Sequence, residues 1–266
     1  MTMENRTDAT SVAVSVIMPA YNAARYIETA IRSVLAQTFP NWELIVIDDG
    51  SKDTTVEVVE QLAREDSRIT LLRNETNMGV AKTRNRGMAL AQGRYIALLD
   101  SDDIWRSEKL EKQVVLAQET GADIVYCSYA IVDEYGHQKC DDFIVPVETD
   151  FDASLVKSVI SCSTALLTRE LADTYRFDDT FYHEDLTLWL QILESGHIAR
   201  GVTEVLADYR MMDGTRAANK LQSAAHRWQI YRKRLGFSVW KSAKLLMKYG
   251  VLGLKKYKNH SNNAKE

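Results

Sequence analysis

Cysteine is scarce in this chain: Cys127, Cys140 and Cys162 are three in 266 residues, widely spaced and without a CxxC pair. An odd, scattered set argues against a disulfide framework or a cysteine-based zinc site, and it fits a reducing compartment. Long apolar runs are missing as well. None approaches the ~20 residues needed to cross a bilayer, and the opening MTMENRTDATS has no apolar stretch of the signal-peptide kind. A cytoplasmic protein that does not span a membrane is expected. Three common site motifs are also absent. Without GxGxxG after the first strand, a dinucleotide on a glycine-rich turn is not expected; without GxxxxGK[ST] there is no P-loop, and without GxSxG no serine-hydrolase elbow.

What is present is the composition of an ordinary globular protein, 45% hydrophobic and 26% charged, with material for a sizeable core. The net charge of −4 hides an asymmetry. Residues 220–266 hold 12 Lys and Arg against one acid, +11, and residues 1–219 hold 21 against 36, −15. Such a contrast suggests a tail that meets a polyanion or an anionic membrane.

Strand-like and helix-like segments alternate along the first half. VAVSVIM (12–18) and WELIVIDDG (42–50) read as strands, as do 68–74, 94–100 and 122–129. Helices are predicted over 23–37, with Asn22 as cap, and over 54–65, where Thr54 and Glu57 have capping-box spacing. Two more are predicted over 80–92 and 107–120. Later, 150–158 and 185–195 read as helical, 162–168 as strand-like and 201–210 as a final strand. Continuous apolar strands alternating with helices predict an α/β fold, a mostly parallel central sheet covered on both faces. In such sheets ligands bind beyond the carboxyl ends of strands. Those ends are PAYN (19–22), DDGS (48–51) and DSDD (100–103).

The last of these puts Asp100, Asp102 and Asp103 within four positions, where like charges repel and raise one another's pKa. An acid-rich turn can be a solvated loop. A cluster of carboxylates at a strand end suits a hard cation, Mg²⁺ or Mn²⁺, which takes one or two carboxylates and completes its shell with water and phosphate oxygens.

The stretches VSVIMPAYN, LIVIDDGSKDTT, NMGVAKTRNRGMALAQGRYIALLDSDD and HEDLTLWLQIL occur in this order over residues 12–210. Together they resemble family 2 glycosyltransferases: inverting enzymes of GT-A fold that use nucleotide-sugar donors. The resemblance implies that Pro19, Ala20 and Tyr21 meet the base and ribose, that Asp49 accepts from a uracil-type imide, and that Arg84 lies near the nucleotide. Asp100, Ser101 and Asp102 would form the DxD motif, with Asp102 the metal ligand and Asp100 on the ribose or behind the metal. Asp185 matches the acceptor-side base, with Glu184 the competing candidate and His183 a wall residue.

Plainer readings stand beside these: Tyr21 as a turn aromatic, Asp48 as a loop cap, Arg84 paired with a surface acid, and Asp185 as the helix N-terminal acid. Where family members often carry a histidine after the last strand, this chain has Tyr209-Arg210-Met211-Met212. Arg210 or Arg216 would then face the diphosphate or acceptor. Gln222 and Arg227-Trp228 do not form QxxRW, which favours single addition over processive synthesis.

The expected organisation is a disordered 1–11, a nucleotide-binding half over 12–104, an acceptor-binding and catalytic half over 105–219, and a basic amphipathic helical tail over 220–266. The function it implies is single-sugar transfer from a nucleotide sugar, UDP-sugar favoured because of Asp49, to a hydroxyl of a glycan or polyprenyl-diphosphate-linked glycan, in surface polysaccharide synthesis. A sugar-1-phosphate nucleotidyltransferase would need a glycine-rich basic loop where PAYNAARYIE stands, and a non-catalytic nucleotide- or glycan-binding module would need no base. In the tail, broken near Gly236, Trp240, Ala243, Met247, Gly250, Val251 and Leu254 fall on one side and Lys241, Lys244, Lys248 and Lys255 on another. That describes either an interfacial helix on an anionic membrane, making the protein peripheral on the inner face of the cytoplasmic membrane, or helices packing on the acidic domain. Nothing in the chain is built for nucleic acid.

Overall fold

The computed structural model describes residues 12–211 and 220–263. Arg216 and the expected disorder of residues 1–11 lie outside them, as do the side chains of Leu254 and Lys255.

β1 (Val14–Ala20) lies at the centre of a parallel block, between β2 (Trp42–Asp48) and β4 (Tyr95–Leu98), with β3 (Ile69–Arg73) outside β2. All seven residues of β1 are buried, as a parallel strand covered on both faces must be. Its side chains alternate between two cores. Val14, Val16 and Met18 join α1 (Ile27–Leu35), α2 (Thr55–Glu65) and α4 (Lys109–Thr120). Ile17 points the other way, to α3 (Val80–Leu90), α6 (Arg169–Thr174) and α7 (Glu184–Glu194).

Beyond β4 the sheet becomes mixed. The order is β3-β2-β1-β4-β9-β6-β10-β5, where β9 (Leu166–Thr168) runs antiparallel to both β4 and β6 (Ile124–Val132). β6 pairs parallel with β10 (Ala199–Arg210) over nine positions, so the long pairings remain parallel. The strands not foreseen are short or at edges: β5 (Ile104–Trp105), β7 (Gln138–Phe143) and β8 (Glu148–Thr149).

Three local expectations are corrected. Asn22 does not cap α1, which begins at Ile27. Its φ is 49°, and its side chain accepts from the Lys52 N–H while its own N–H donates to Ser51 Oγ, tying the end of β1 to the loop after β2. The Thr54–Glu57 box does not form, because Asp53 accepts from Thr55 N–H, Thr55 Oγ1 and Ala24 N–H instead. Residues 162–168 are not one strand: Cys162–Thr164 form a single 3₁₀ turn before β9.

Gly87 decides how closely α3 approaches the sheet. A Cβ there would lie 2.6 Å from both Ile17 Cγ2 and Ile47 Cδ1, closer than carbon atoms pack. Glycine thus lets α3 settle onto β1 and β2, which sets the depth of Arg84 one turn earlier.

The C-terminal segment packs on the domain. α8 (Lys220–Gln229) runs into a π-helical turn (Ile230–Arg234), Gly236 takes φ 63°, and α9 (Val239–Asn263) follows. Ile230 and Tyr231 are fully buried with Leu155 of α5 (Phe151–Val156) and Leu186 and Leu190 of α7, and Leu245 and Leu246 of α9 close over them. The Tyr231 hydroxyl donates to the Leu155 carbonyl. The buried Arg227 guanidinium donates to Leu155 O and Ser158 Oγ, both at 2.7 Å, and sits 4.3 Å from the Tyr249 ring centroid. Packing of the tail on the domain is therefore realised. Ile230→Ala should cost about 2–4 kcal/mol by leaving a cavity in this shared core. Urea unfolding checks it, and an unchanged midpoint would mean that the C-terminal helices stand apart from the domain's cooperative unit.

Candidate active site

A cleft of about 670 Å³ opens at the carboxyl ends of β1, β2 and β4, where ligands of open α/β sheets bind. Pro19, Ala20 and Tyr21 line it from β1, and Asp49 from β2. The start of α3 contributes Gly79, Val80, Thr83 and Arg84, the turn after β4 contributes Asp100, Ser101 and Asp102, and the entry to α7 contributes Tyr182, His183, Glu184 and Asp185. These five separated stretches of sequence converge on one cavity. Tyr21 is half exposed at its edge, free of the core that buries Pro19 and Ala20.

The paired acids after β2 divide their work. Asp48 accepts from the N–H groups of Gly50 and Ser51 and so caps its own turn. Asp49 reaches across to the loop before α3: Oδ1 accepts from Asn74 Nδ2 at 2.7 Å and Met78 N–H at 2.8 Å, and Oδ2 from Gly79 N–H at 2.9 Å. Each carboxylate oxygen has two acceptor sites. Oδ1 is saturated by these bonds, and Oδ2 keeps one site for the cleft. Asp49 is thus a clamp for the loop as well as a lining residue.

Arg84 answers the crowding of acids. Its NH2 donates to Asp100 Oδ1 at 2.6 Å and its NH1 to Glu184 Oε1 at 3.0 Å, with the Phe177 ring 5.2 Å from the guanidinium carbon. The arginine side chain is 5% exposed. Both acids it holds belong to the cleft, so its partners are not surface acids.

The remaining acids of the turn respond to burial. Asp103 lies beneath the cleft, with Oδ1 accepting from the Arg210 N–H. Burial, then Asp102 and Asp100, push its carboxyl well above the usual range. Asp102 faces the cleft and is pushed up to about 6, first by burial and then by Asp100. It takes no hydrogen bond from a neighbouring side chain among the described residues. The described residues hold no cluster of three or more metal-ligating side chains. One free carboxylate beside an open cleft fits a hard divalent cation that completes its shell with water and substrate oxygens.

Across the cleft, two adjacent acids start α7. Glu184 is held by Arg84, whereas the half-buried Asp185 has no ion pair among the described residues. Its Oδ1 accepts from the Leu186 N–H at 2.7 Å, the helix-start contact foreseen as its plainer role. Burial raises its pKa against that hydrogen bond and the pull of Arg84. His183 edges onto the Tyr182 ring at 5.3 Å and the His226 ring at 6.0 Å, a wall residue as expected.

Arg210 is not brought to the cleft. Its Nε donates to the Asp102 carbonyl, and its NH1 to the carbonyls of Asp133 and Glu134, at 2.8 to 3.1 Å. Arg210 thus braces the acidic turn against the β6–β7 connection, where β10 ends beside Asp103. The sequence reading missed Ser161, Cys162 and Tyr209 in the lining. No motif marks Ser161 and Cys162, and the 3₁₀ turn that presents them lay hidden in an apolar run; Tyr209 reads only as part of the segment after the last strand. Arg84→Met should cost about 3 kcal/mol, the low end for a broken buried pair because Asp100 is partly solvated. Chemical denaturation reads this, and a change below about 1 kcal/mol would show the two acids to be solvated without it.

Comparison with known proteins agrees with this geometry. The profile of Glycosyl transferase family 2 matches residues 15–172. The chain is 37% identical over 258 residues to the UDP-Glc:alpha-D-GlcNAc-diphosphoundecaprenol beta-1,3-glucosyltransferase WfgD of Escherichia coli, covering 95% of this chain and 98% of that one. It is 36% identical over 244 residues to a Bacillus subtilis protein assigned to teichuronic acid biosynthesis as glycosyltransferase TuaG, covering 91% and 96%. Among solved structures, S. aureus TarS 1-349 in complex with UDP-GlcNAc aligns with a TM-score of 0.72 at 20% identity, over 89% of this chain and 71% of that one. That likeness carries the fold, the GT-A arrangement. With a profile spanning over half of the chain and relatives this similar along nearly all of it, the protein belongs to glycosyl transferase family 2.

Proposed function

We propose that this glycosyltransferase moves a single sugar, with inversion, from a UDP-sugar to a hydroxyl of a glycan or polyprenyl-diphosphate-linked glycan during surface-polysaccharide synthesis at the cytoplasmic face of the membrane. The observation that carries the reading is the contrast between two neighbours. Arg84 occupies Glu184, and Asp185 faces the same cleft as Asp102 without an ion pair among the described residues. A base must be free to take a proton, and Asp185 is the acid left free to do so. Its raised pKa makes it a stronger base once ionised.

In this reading Tyr21, Pro19 and Ala20 flank the base and ribose. The spare acceptor site of Asp49 Oδ2 takes the imide N–H of uracil, and Asp100 and Ser101 meet the ribose. Arg84 acts by holding Asp100 and Glu184 in place. Asp102 would bind Mg²⁺ or Mn²⁺, an ion that neutralises charge on a nucleoside diphosphate leaving group. Asp185 removes the proton from the acceptor hydroxyl as that oxygen attacks the anomeric carbon from the face opposite the diphosphate. One displacement inverts the centre. The UDP preference is supported by the donor named for the E. coli relative, and the lipid-linked acceptor by the diphosphoundecaprenol in the same name.

Asp102→Asn should abolish metal-dependent UDP binding, and EDTA should do the same to the wild type. Calorimetry checks both, and equal affinity with and without EDTA would remove the cation from the site.

Asp185→Asn should retain UDP binding and lose about 10²–10⁴-fold in transfer rate. Turnover with a UDP-sugar panel and a lipid-linked acceptor is the measurement. A near wild-type rate would move the base elsewhere.

A further inference from the structure

Helix α9 is apolar on two opposite sides, and the domain covers one of them. The docked side consists of Ser242, Leu245, Leu246 and Tyr249: the first is fully buried, the leucines close over the Ile230–Tyr231 core, and the tyrosine takes the Arg227 guanidinium. The outward side carries Trp240, Met247 and Val251, which are 86%, 67% and 52% exposed. At 3.6 residues per turn these three fall within roughly 40° of one another, opposite the docked side. Exposed Lys241, Lys244 and Lys248 run along one flank of the same stripe. The stripe read from the sequence as this helix's apolar face is thus the one the fold leaves in solvent.

From this we infer that the outward side of α9 lies flat on an anionic membrane surface, with Trp240, Met247 and Val251 among the headgroups and the three lysines on lipid phosphates. Charge selects this occupant. Residues 220–266 carry +11 and residues 1–219 carry −15, so an anionic surface attracts one end of the molecule and repels the rest. That orients the protein as well as holding it. A second copy meeting the same face would set lysine against lysine. No described helix is long and apolar enough to cross a membrane, and a lysine-flanked aromatic stripe suits lying on the interface.

The docked side gives the attachment a consequence. Arg227 grips Tyr249 of α9, and its neighbour His226 stacks on Tyr182 at 4.3 Å, in the wall of the cleft. Two ring contacts therefore join the membrane-facing helix to the acceptor side of the site. If the lipid-linked acceptor proposed above is correct, α9 fixes the distance between the cleft and the lipid surface. Membrane docking itself does not rest on that proposal.

The test uses the full chain with vesicles of phosphatidylcholine alone or mixed with phosphatidylglycerol, read by flotation, with light scattering for oligomeric state. Wild type should bind the anionic vesicles at least about tenfold better than the neutral ones, and salt should weaken this binding. Trp240→Ser with Met247→Ser should weaken it about tenfold or more at every salt concentration, since both side chains are exposed and their loss leaves the core intact. Lys241→Gln, Lys244→Gln and Lys248→Gln together should remove about 100-fold and lessen the salt dependence, at about fivefold per lysine. Thermal unfolding and UDP binding without vesicles, unchanged in these variants, show that fold and donor site are intact. Loss of UDP binding in wild type would count against the transferase reading and leave this inference standing. Failure of wild type to float with anionic vesicles would overturn it, as would serine variants that float like wild type. A wild-type dimer that the serine variants dissociate would assign the face to a second copy instead.

Discussion

Arg84 sits where α3, the turn after β4 and the start of α7 meet, and its two terminal nitrogens hold one acid from each of the latter two. Burying a guanidinium is costly unless carboxylates surround it, and burying those carboxylates is costly without it. The three groups therefore require one another. Because Asp100 and Glu184 lie 16 and 100 positions from Arg84, the pair of ion pairs ties the β1–β4 part of the sheet to the helix carrying Asp185. Gly87, which lets α3 down onto Ile17 and Ile47, sets the depth at which this clamp closes.

Once Arg84 has taken Asp100 and Glu184, the other acids are sorted by surroundings alone. Asp49 is spent largely on the loop before α3, Asp48 on its own turn, and Asp103 on the end of β10. Asp102 and Asp185 remain, on two walls of one cleft, both with pKa values raised by burial. Seven carboxylates thus become two available ones. In the proposed transfer, the first would hold the cation and the second would accept the proton of the acceptor hydroxyl.

The C-terminal helices bring a different constraint. Their inner surface completes the third core with α5 and α7, and through His226 it reaches the cleft wall. Their outer surface keeps the side chains of Trp240, Met247 and Val251 in water. One side of the helix serves the fold, and the other is the side on which the proposed membrane contact rests.

The sequence by itself determined the central architecture and most of the site. Strands buried on both faces leave continuous apolar runs, so β1, β2 and β4 were legible, and acids gathered at strand ends marked the cleft. Asp49, Asp100, Asp102, Glu184 and Asp185 are all legible in the sequence, because their residue types and order carry the family resemblance. Tertiary structure alone decided what each acid does. Hydrogen-bond partners across 16, 25 or 100 positions leave no periodic trace, which is why Arg84 emerged as a clamp and why Arg210 turned to backbone carbonyls. Short edge strands such as β5 and β8 carry too few residues for a pattern, and the 3₁₀ turn at Cys162 borrowed the apolarity of β9. For α9, periodicity revealed a helix with an apolar stripe, but a helix can dock by either side. Which side met the core depended on Leu155, Leu186, Ile230 and Tyr231 being in place to receive it.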